Sequence, residues 1–136
     1  MSLFAFKKAK VLTVGERGEN EAVSYFKRQG YKILERNYRY SHYEIDFIAK
    51  NKEYLVFAEV KARSCRSPDD MPYGRPSSAV NKEKQRFLIY AAKAYLRQHP
   101  NITKKPRLDV IEIYFDNEPV VKKKKILKIN HIPNAF

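Results

Sequence analysis

The chain has 136 residues, one cysteine and a net charge of +13, from 28 Lys and Arg residues against 15 Asp and Glu residues. The single cysteine excludes an internal disulfide framework, and no apolar run approaches the ~20 residues that cross a bilayer, so we expect a soluble, cytoplasmic protein without membrane contact. The positive excess is spread along the chain and is typical of proteins that bind polyanions, with nucleic acid favoured over an anionic membrane surface.

The first predicted element is a helix that begins at a capping box and ends before a glycine. Thr13 is the N-cap, Glu16 stands at the third helical position, and Gly30 suits the turn that closes a helix. Gly15 and Gly18 allow the helix backbone to approach a neighbouring element closely, at a cost of up to ~1 kcal/mol each relative to Ala.

The remaining elements alternate between strand and helix signals. They are, in order, a strand over 31–40, a hairpin of 43–50 and 53–63, a loop over 64–78, a helix from about 78 or 81 to 99, a strand over 108–115 and a strand over 120–132. This order predicts an α/β domain with a mixed sheet flanked by helices. We expect a single domain over 1–136, with its core at about 13–116 and a C-terminal strand and tail over 119–136.

Two short motifs on the hairpin carry acidic residues. They are Glu44-Ile45-Asp46 and Glu59-Val60-Lys61. A hairpin symmetric about Asn51 and Lys52 pairs Asp46 with Phe57 and Glu44 with Glu59, which places Asp46 diagonal to Glu59 at ~7–8 Å between backbones. Asp46, Glu59 and Lys61 then share one face of the sheet.

A third carboxylate lies on the first helix. Glu19 is in line with the apolar residues that dock on the sheet. Two negative charges ~5 Å apart repel by ~3 kcal/mol at an effective dielectric of ~20, so Glu19, Asp46 and Glu59 are unfavourable together without a cation or a raised pKa. Lys61 balances one charge, and a hard ion such as Mg²⁺ would balance the others. From spacing alone, a solvated strand face whose acids pair with surrounding basic residues is an equal alternative.

The acidic pattern resembles a known nuclease motif. Asp46, followed by Glu59-x-Lys61 and preceded by a helix with Glu19, is similar to the PD-(D/E)xK motif of the restriction-endonuclease-like fold, which includes archaeal Holliday junction resolvases; Ile45 stands where the motif's name has proline.

A longer set of motifs resembles the uncharacterised bacterial YraN-like family over nearly the whole chain from Val14 onward. These motifs are Gly15-x-x-Gly18-Glu19, Gly30-Tyr31, Asn37-Tyr38-Arg39, Glu44-Ile45-Asp46-x-Ile48-Ala49, Phe57-x-Glu59-Val60-Lys61-x-Arg63, Lys84, Arg107-Leu108-Asp109-Val110 and Asn134-Ala135-Phe136. Tyr43 stands where this family is expected to have glycine, beside the start of the strand that carries Asp46.

The resemblance implies a restriction-endonuclease-like αβββαβ core and a Mg²⁺- or Mn²⁺-dependent endonuclease that hydrolyses phosphodiester bonds of DNA, including branched DNA. It makes Asp46, Glu59 and the Val60 carbonyl metal ligands, and lets Glu19 either complete the metal shell or contact a metal-bound water. Lys61 then orients the attacking water and stabilises charge on the phosphate. A resolvase-like role favours a two-fold homodimer.

Basic residues near the motif are candidates for contact with nucleic acid, with DNA favoured over RNA. They are Arg39, Arg63, Arg66, Arg75 and Lys84. Lys84 either reaches the site or is a boundary lysine that extends its ammonium group to solvent. Tyr38, Arg39 and Tyr40 interleave aromatic and basic groups, which is typical of a base-stacking surface and equally of core packing.

Two other classes of function fit the basic composition. One is a non-catalytic nucleic-acid-binding protein of the same fold, and the other is a basic module for RNA or a ribosome-associated assembly. Metal-dependent nicking of DNA would distinguish the endonuclease from both of these classes.

Overall fold

The computed structural model describes residues 12–65, 80–116 and 126–136. The helices are α1 (Val14–Arg28) and α2 (Lys82–Gln98). The strands are β1 (Lys32–Tyr40), β2 (Tyr43–Lys50), β3 (Tyr54–Cys65), β4 (Lys105–Asp116) and β5 (Ile126–Ile132). The αβββαββ order confirms the predicted α/β class. The predicted loop over 64–78 begins too early, because Ser64 and Cys65 still pair with β4; residues 66–78 of that loop and 120–125 of the predicted last strand lie outside the described residues.

The five strands form one mixed sheet in the order β1-β2-β3-β4-β5. Neighbouring strands are antiparallel except β3 and β4, which are parallel and are joined in sequence through α2. Strand β3 pairs with β4 from Tyr54 to Cys65, but its ladder with β2 reaches only from Leu55 to Ala58. Beyond Ala58, the edge of β3 that faces β2 is therefore not part of the β2–β3 ladder.

A helix covers each face of the sheet. The α1 side buries Ala22, Val23, Phe26, Phe47, Val56, Ile111 and Ile113. The α2 side buries Ile48, Phe57, Leu88, Ala91, Tyr95 and Val110. The central strands are apolar on both faces because both faces are covered. Neither helix is long and apolar enough to cross a membrane, within the residues that the structure describes.

The start of α1 follows the predicted capping box, and only one of its two glycines makes a close approach. Thr13 Oγ1 accepts a hydrogen bond from the Glu16 amide at 3.1 Å. A Cβ atom on Gly18 would lie 2.7 Å from the Cβ of Ala62 on β3, whereas one on Gly15 would meet nothing closer than Thr13 Oγ1 at 3.9 Å. The close approach predicted for Gly15 is wrong, because this residue is exposed.

The register of the β2–β3 hairpin differs from the predicted one by two residues. Ile48 pairs with Phe57, so the predicted pairs of Asp46 with Phe57 and of Glu44 with Glu59 are wrong. The side-chain oxygen of Asn51 accepts from the amides of Glu53 at 2.9 Å and Tyr54 at 2.6 Å, and the Asn51 amide donates to the Tyr54 carbonyl at 3.1 Å. Asn51 is thus the first residue of the turn rather than a central one. A two-residue shift keeps Glu59 and Lys61 on their predicted face and brings Asp46 level with Glu59.

Candidate active site

Asp46 lies where β2 separates from β3. The ladder ends at Phe47 opposite Ala58, and just beyond it Oδ2 of Asp46 accepts a hydrogen bond from the Val60 amide at 2.7 Å. The alternation of β2 is interrupted here, since Ile45 packs in the same α2-side core as Ile48. The carboxylate of Asp46 consequently occupies the position of a backbone partner for β3.

Strand β1 changes face at the same level. Asn37 has a positive φ of 53°, which Asn tolerates better than most residues. On one side of it, Arg36 Nη2 donates to Asn20 Oδ1 of α1 at 2.7 Å; on the other, the Tyr38 hydroxyl donates to Gln98 Oε1 of α2 at 3.0 Å. The positive φ at Asn37 therefore lets consecutive strand segments serve opposite faces.

Glu59 lies on the α2 side of β3 and is only 6% exposed. Its Oε1 is 3.6 Å from Lys61 Nζ and 3.9 Å from Lys84 Nζ, while its Oε2 is buried without a hydrogen-bond partner among the described residues. Burial raises the pKa of Glu59, and Lys84 and Lys61 oppose that rise. A buried carboxylate oxygen without a partner is costly, so Oε2 is suited to a ligand that it can bind.

The pKa of Asp46 is raised to about 7. Loss of water on burial is the main cause, and the negative charge of Glu59 is the second. The hydrogen bond from Val60 opposes the rise, whereas Glu19 and Glu44 add to it. Without a bound cation, burial and mutual repulsion therefore favour a protonated form of the Asp46–Glu59 pair.

Glu19 approaches the site from α1, on the face opposite α2. Its Oε1 lies 3.4 Å from Arg36 Nη2. With the amide of Asn37 oriented to donate, its nitrogen bridges Oε1 of Glu19 and Oε1 of Glu44 at 3.2 Å each. Glu19 thus acts on Asp46 through its charge, while its side chain is engaged by Arg36.

The donor atoms at this site suit a hard divalent ion that takes only a few of its ligands from the protein. Among the described residues, no three His, Cys, Asp or Glu side chains form a group that could hold a metal ion. Asp46, Glu59 and the Val60 carbonyl offer two carboxylates and one backbone oxygen. Mg²⁺ commonly keeps several waters and binds one or two carboxylates, and the unpartnered Oε2 of Glu59 is the atom that fits such an ion.

Comparison with known proteins places the chain in a family. The model of the uncharacterised protein family UPF0102 matches residues 18–113, which include every predicted catalytic residue. This chain belongs to UPF0102.

Individual UPF0102 proteins are similar along almost the whole chain. One from Caldanaerobacter subterraneus subsp. tengcongensis is 40% identical over 130 residues, which cover 96% of this chain and 99% of that protein. One from Chlorobium phaeobacteroides is 42% identical over 126 residues, with 90% and 93% covered. One from Geobacter metallireducens is 40% identical over 124 residues, with 91% and 92% covered.

The structure places the basic candidates of this UPF0102 protein at different distances from the acids. Lys84 joins the site through its 3.9 Å ion pair with Glu59. Arg39 lies 3.2 Å from Glu44 with a side chain that is 75% exposed, and Arg63 is exposed near the end of β3. The other two candidates, Arg66 and Arg75, lie outside the described residues.

Glu112 is a buried acid beside the site that the motifs do not predict. It is the register partner of Lys61 on β4 and is 6% exposed. Its Oε2 accepts from the Tyr114 hydroxyl at 3.0 Å and its Oε1 accepts from Asn130 Nδ2 at 3.0 Å. Burial and the hydrogen bond to Glu112 raise the pKa of Tyr114 to about 12. The available signal was a lone acid inside an apolar strand, since such an acid requires partners.

Proposed function

We propose that this UPF0102 protein is a Mg²⁺- or Mn²⁺-dependent endonuclease of the PD-(D/E)xK type that hydrolyses phosphodiester bonds of DNA. The observation that carries the proposal is the buried carboxylate pair, with one oxygen of Glu59 unpartnered among the described residues and with Lys61 and Lys84 beside the other oxygen. A protein that only binds nucleic acid does not need acidic side chains buried where a phosphate would lie, because like charges repel. The net charge of +13 supports a polyanionic substrate.

The metal ligands in this proposal are Asp46, Glu59 and the Val60 carbonyl. When bound, Mg²⁺ supplies Lewis-acid stabilisation of negative charge and lowers the pKa of water. Glu19 would complete the shell, since its contact with Arg36 is a 3.4 Å partly exposed ion pair of the kind that contributes little to stability.

The two lysines stabilise the phosphate. Lys61 Nζ and Lys84 Nζ lie 3.6 Å and 3.9 Å from the same oxygen of Glu59, which places two ammonium groups at the edge of the acidic pair. Positive groups fixed in advance, where negative charge develops, lower the barrier without reorganising during the reaction. Lys61, on β3, orients the attacking water, and Lys84, on α2, contacts a phosphate oxygen.

The test is nicking of labelled linear, flap and four-way-junction DNA with Mg²⁺ or Mn²⁺, compared with the same reactions in EDTA. We expect cleavage by the wild type only with metal, and a loss of at least about 100-fold in the variants Asp46→Asn, Glu59→Gln and Lys61→Met. The matched control is Glu53→Gln, which makes the same chemical change in a 57% exposed side chain paired with Lys105 at the hairpin turn.

Two outcomes would contradict the proposal. A wild type that binds all three DNA substrates but cuts none with either metal would be a binding protein that uses this fold without catalysis. Cleavage that survives Glu59→Gln as well as it survives Glu53→Gln would place the active site elsewhere.

A further inference from the structure

Four ring side chains cluster where the start of β2 meets α2, next to the candidate site. The Tyr43 ring lies 4.2 Å from that of His42, 4.8 Å from that of Phe87 and 6.0 Å from that of Tyr90, between centroids. The interplanar angles of Tyr43 with Phe87 and Tyr90 are 28° and 25°, so each of these two rings is stacked with Tyr43, whereas the His42 ring is tilted by 53°. We name His42, Tyr43, Phe87 and Tyr90 the aromatic platform.

The aromatic platform reaches from the edge of the α2-side core into solvent. Tyr43 is partly buried and packs against that core, whereas Tyr90 is 53% exposed and His42 is exposed. Tyr90 and Tyr40, which is 38% exposed, are the large hydrophobic side chains exposed in the described part of the chain. Core packing accounts for Tyr43 but not for the extension of the stack to Tyr90.

Basic side chains lie on α2 and on β1, which pairs with the start of β2 through Tyr40 and Tyr43. The guanidinium of Arg97 lies 6.0 Å from the centre of the Tyr40 ring, the Arg39 side chain is 75% exposed, and Arg86 is exposed on α2. The nearby acid Glu44 is paired with Arg39 at 3.2 Å. Stacked rings that extend to an exposed tyrosine, with basic side chains on adjoining elements, match the chemistry of bases and phosphates in a single strand.

The aromatic platform adjoins the candidate site on two elements. Tyr43 precedes Asp46 by three residues on β2, and Phe87 follows Lys84 by one helical turn on α2. Lys84 in turn contacts Glu59. A nucleic acid strand whose phosphate lies at Lys84 therefore has its neighbouring base within reach of the rings.

We propose that the aromatic platform stacks against an unpaired nucleobase, so that the preferred substrate has single-stranded nucleotides beside the phosphate at the candidate site. This inference deepens the proposed endonuclease function and rests on it for the role of that phosphate. Stacking is tolerant of sequence because every base has a π face. The platform consequently selects unpaired structure rather than a base sequence.

The test measures binding in EDTA, so that no cleavage takes place. The probes are a fluorescein-labelled 15-nucleotide single-stranded DNA, an abasic oligomer with the same number of phosphates, and the corresponding duplex, each followed by fluorescence anisotropy. The variants are Tyr43→Leu and Tyr90→Leu, which remove a ring, and Tyr90→Phe, which keeps it. Thermal melts followed by circular dichroism check folding. Because Tyr90 is 53% exposed, we expect its variants to keep the fold.

We expect the wild type to bind the base-containing strand more tightly than the abasic oligomer and the duplex. Each ring deletion should weaken binding of the base-containing strand by about 5- to 100-fold and leave abasic binding unchanged, while Tyr90→Phe should behave as wild type. Equal wild-type affinity for the abasic and base-containing strands would overturn the inference. Unchanged affinity of Tyr90→Leu for the base-containing strand would overturn it as well.

The outcome is separate from that of the nicking assay. Binding in EDTA does not require metal at Asp46 and Glu59, so a protein that fails to cut can still show the ring-dependent preference for unpaired bases. Conversely, metal-dependent cutting with no dependence of binding on Tyr43 or Tyr90 would leave the endonuclease proposal standing and remove the platform.

Discussion

Asp46 is stabilised by one neighbour and destabilised by another. The amide of Val60 donates to its carboxylate at 2.7 Å, which favours the charged form, whereas burial and Glu59 disfavour it. The second pair of effects dominates, since the pKa of Asp46 is raised to about 7 from its ordinary 3.8. Between pH 3.8 and about pH 7, the folded protein without a bound cation therefore keeps a proton on Asp46 that the unfolded chain has released.

This proton makes the stability of the metal-free protein depend on pH. Because the folded pKa lies above the unfolded one, the contribution of Asp46 is fully present below pH 3.8 and is lost by about pH 7. We expect the free energy of unfolding, measured by urea titration in EDTA, to fall across this range by a few kcal/mol more in wild type than in Asp46→Asn. A pH profile in Asp46→Asn identical to that of wild type would contradict the raised pKa.

At the scale of the elements, the glycine in the second turn of α1 sets the distance between the helix and the sheet. A Cβ atom at Gly18 would lie 2.7 Å from the Cβ of Ala62, which is closer than real side chains approach. The neighbouring Glu19 follows the helix, so the separation of α1 from β3 also sets how far its carboxylate is from Asp46. Gly15, in the same helix, has no such contact.

The two glycines of α1 offer a matched pair of substitutions. Gly18→Ala should destabilise the protein by about 1–3 kcal/mol, because the overpacking exceeds the gain of up to ~1 kcal/mol in helix propensity. Gly15→Ala should be neutral or stabilise by up to ~1 kcal/mol. Thermal denaturation measures both effects, and equal effects of the two substitutions would contradict a contact at Gly18.

Local signals predicted the elements, and long-range geometry could not be predicted in the same way. The capping box at Thr13 and the alternation in β2 and β3 depend on neighbouring residues, so they are visible in the sequence. The predicted register of the hairpin was wrong because the side chain of Asn51 accepts hydrogen bonds from the turn backbone, which makes Asn51 the first residue of the turn and not a central one. The change of face at Asn37 depends on one backbone angle, which no periodic pattern reports.

The motifs brought the right residue types together but not their detailed contacts. The faces of Glu59 and Lys61 follow from strand parity, which a two-residue register error preserves. The engagement of Glu19 by Arg36 and the position of Glu112 beside Lys61 depend on pairing with β1 and β4. Sequence separation conceals such pairings.

Across the whole molecule, Asp109 connects elements from both ends of the chain. It is fully buried, and its carboxylate accepts two hydrogen bonds from Arg107 at 2.9 Å, one from the amide of Asn134 at 2.9 Å, and contacts His131 Nε2 at 2.7 Å. The hydroxyl of Tyr25 on α1 lies 3.2 Å from His131 Nδ1. Burial acts to raise the pKa of Asp109, but these hydrogen bonds outweigh it and lower the pKa.

Removing this charge should weaken the whole fold. Asp109→Asn leaves the guanidinium of Arg107, which is 12% exposed, without its ionic partner, and we expect a loss of about 3–5 kcal/mol in the free energy of unfolding. Urea denaturation at pH 7 measures the loss, with Glu53→Gln as an exposed control that should change by less than about 0.5 kcal/mol. A loss no larger than that of the control would show that the network contributes little.

The position of β3 has a consequence for how the protein would fail under heat. This strand is third of five, pairs with β4 from end to end, and carries both Glu59 and Lys61. Interior strands are commonly among the last segments to exchange their amides, whereas chain ends and surface turns fray first. Because the proposed catalytic residues Glu59 and Lys61 lie in such a strand, they keep their positions for as long as the domain stays folded, and we expect loss of the proposed activity on heating to coincide with unfolding of the domain.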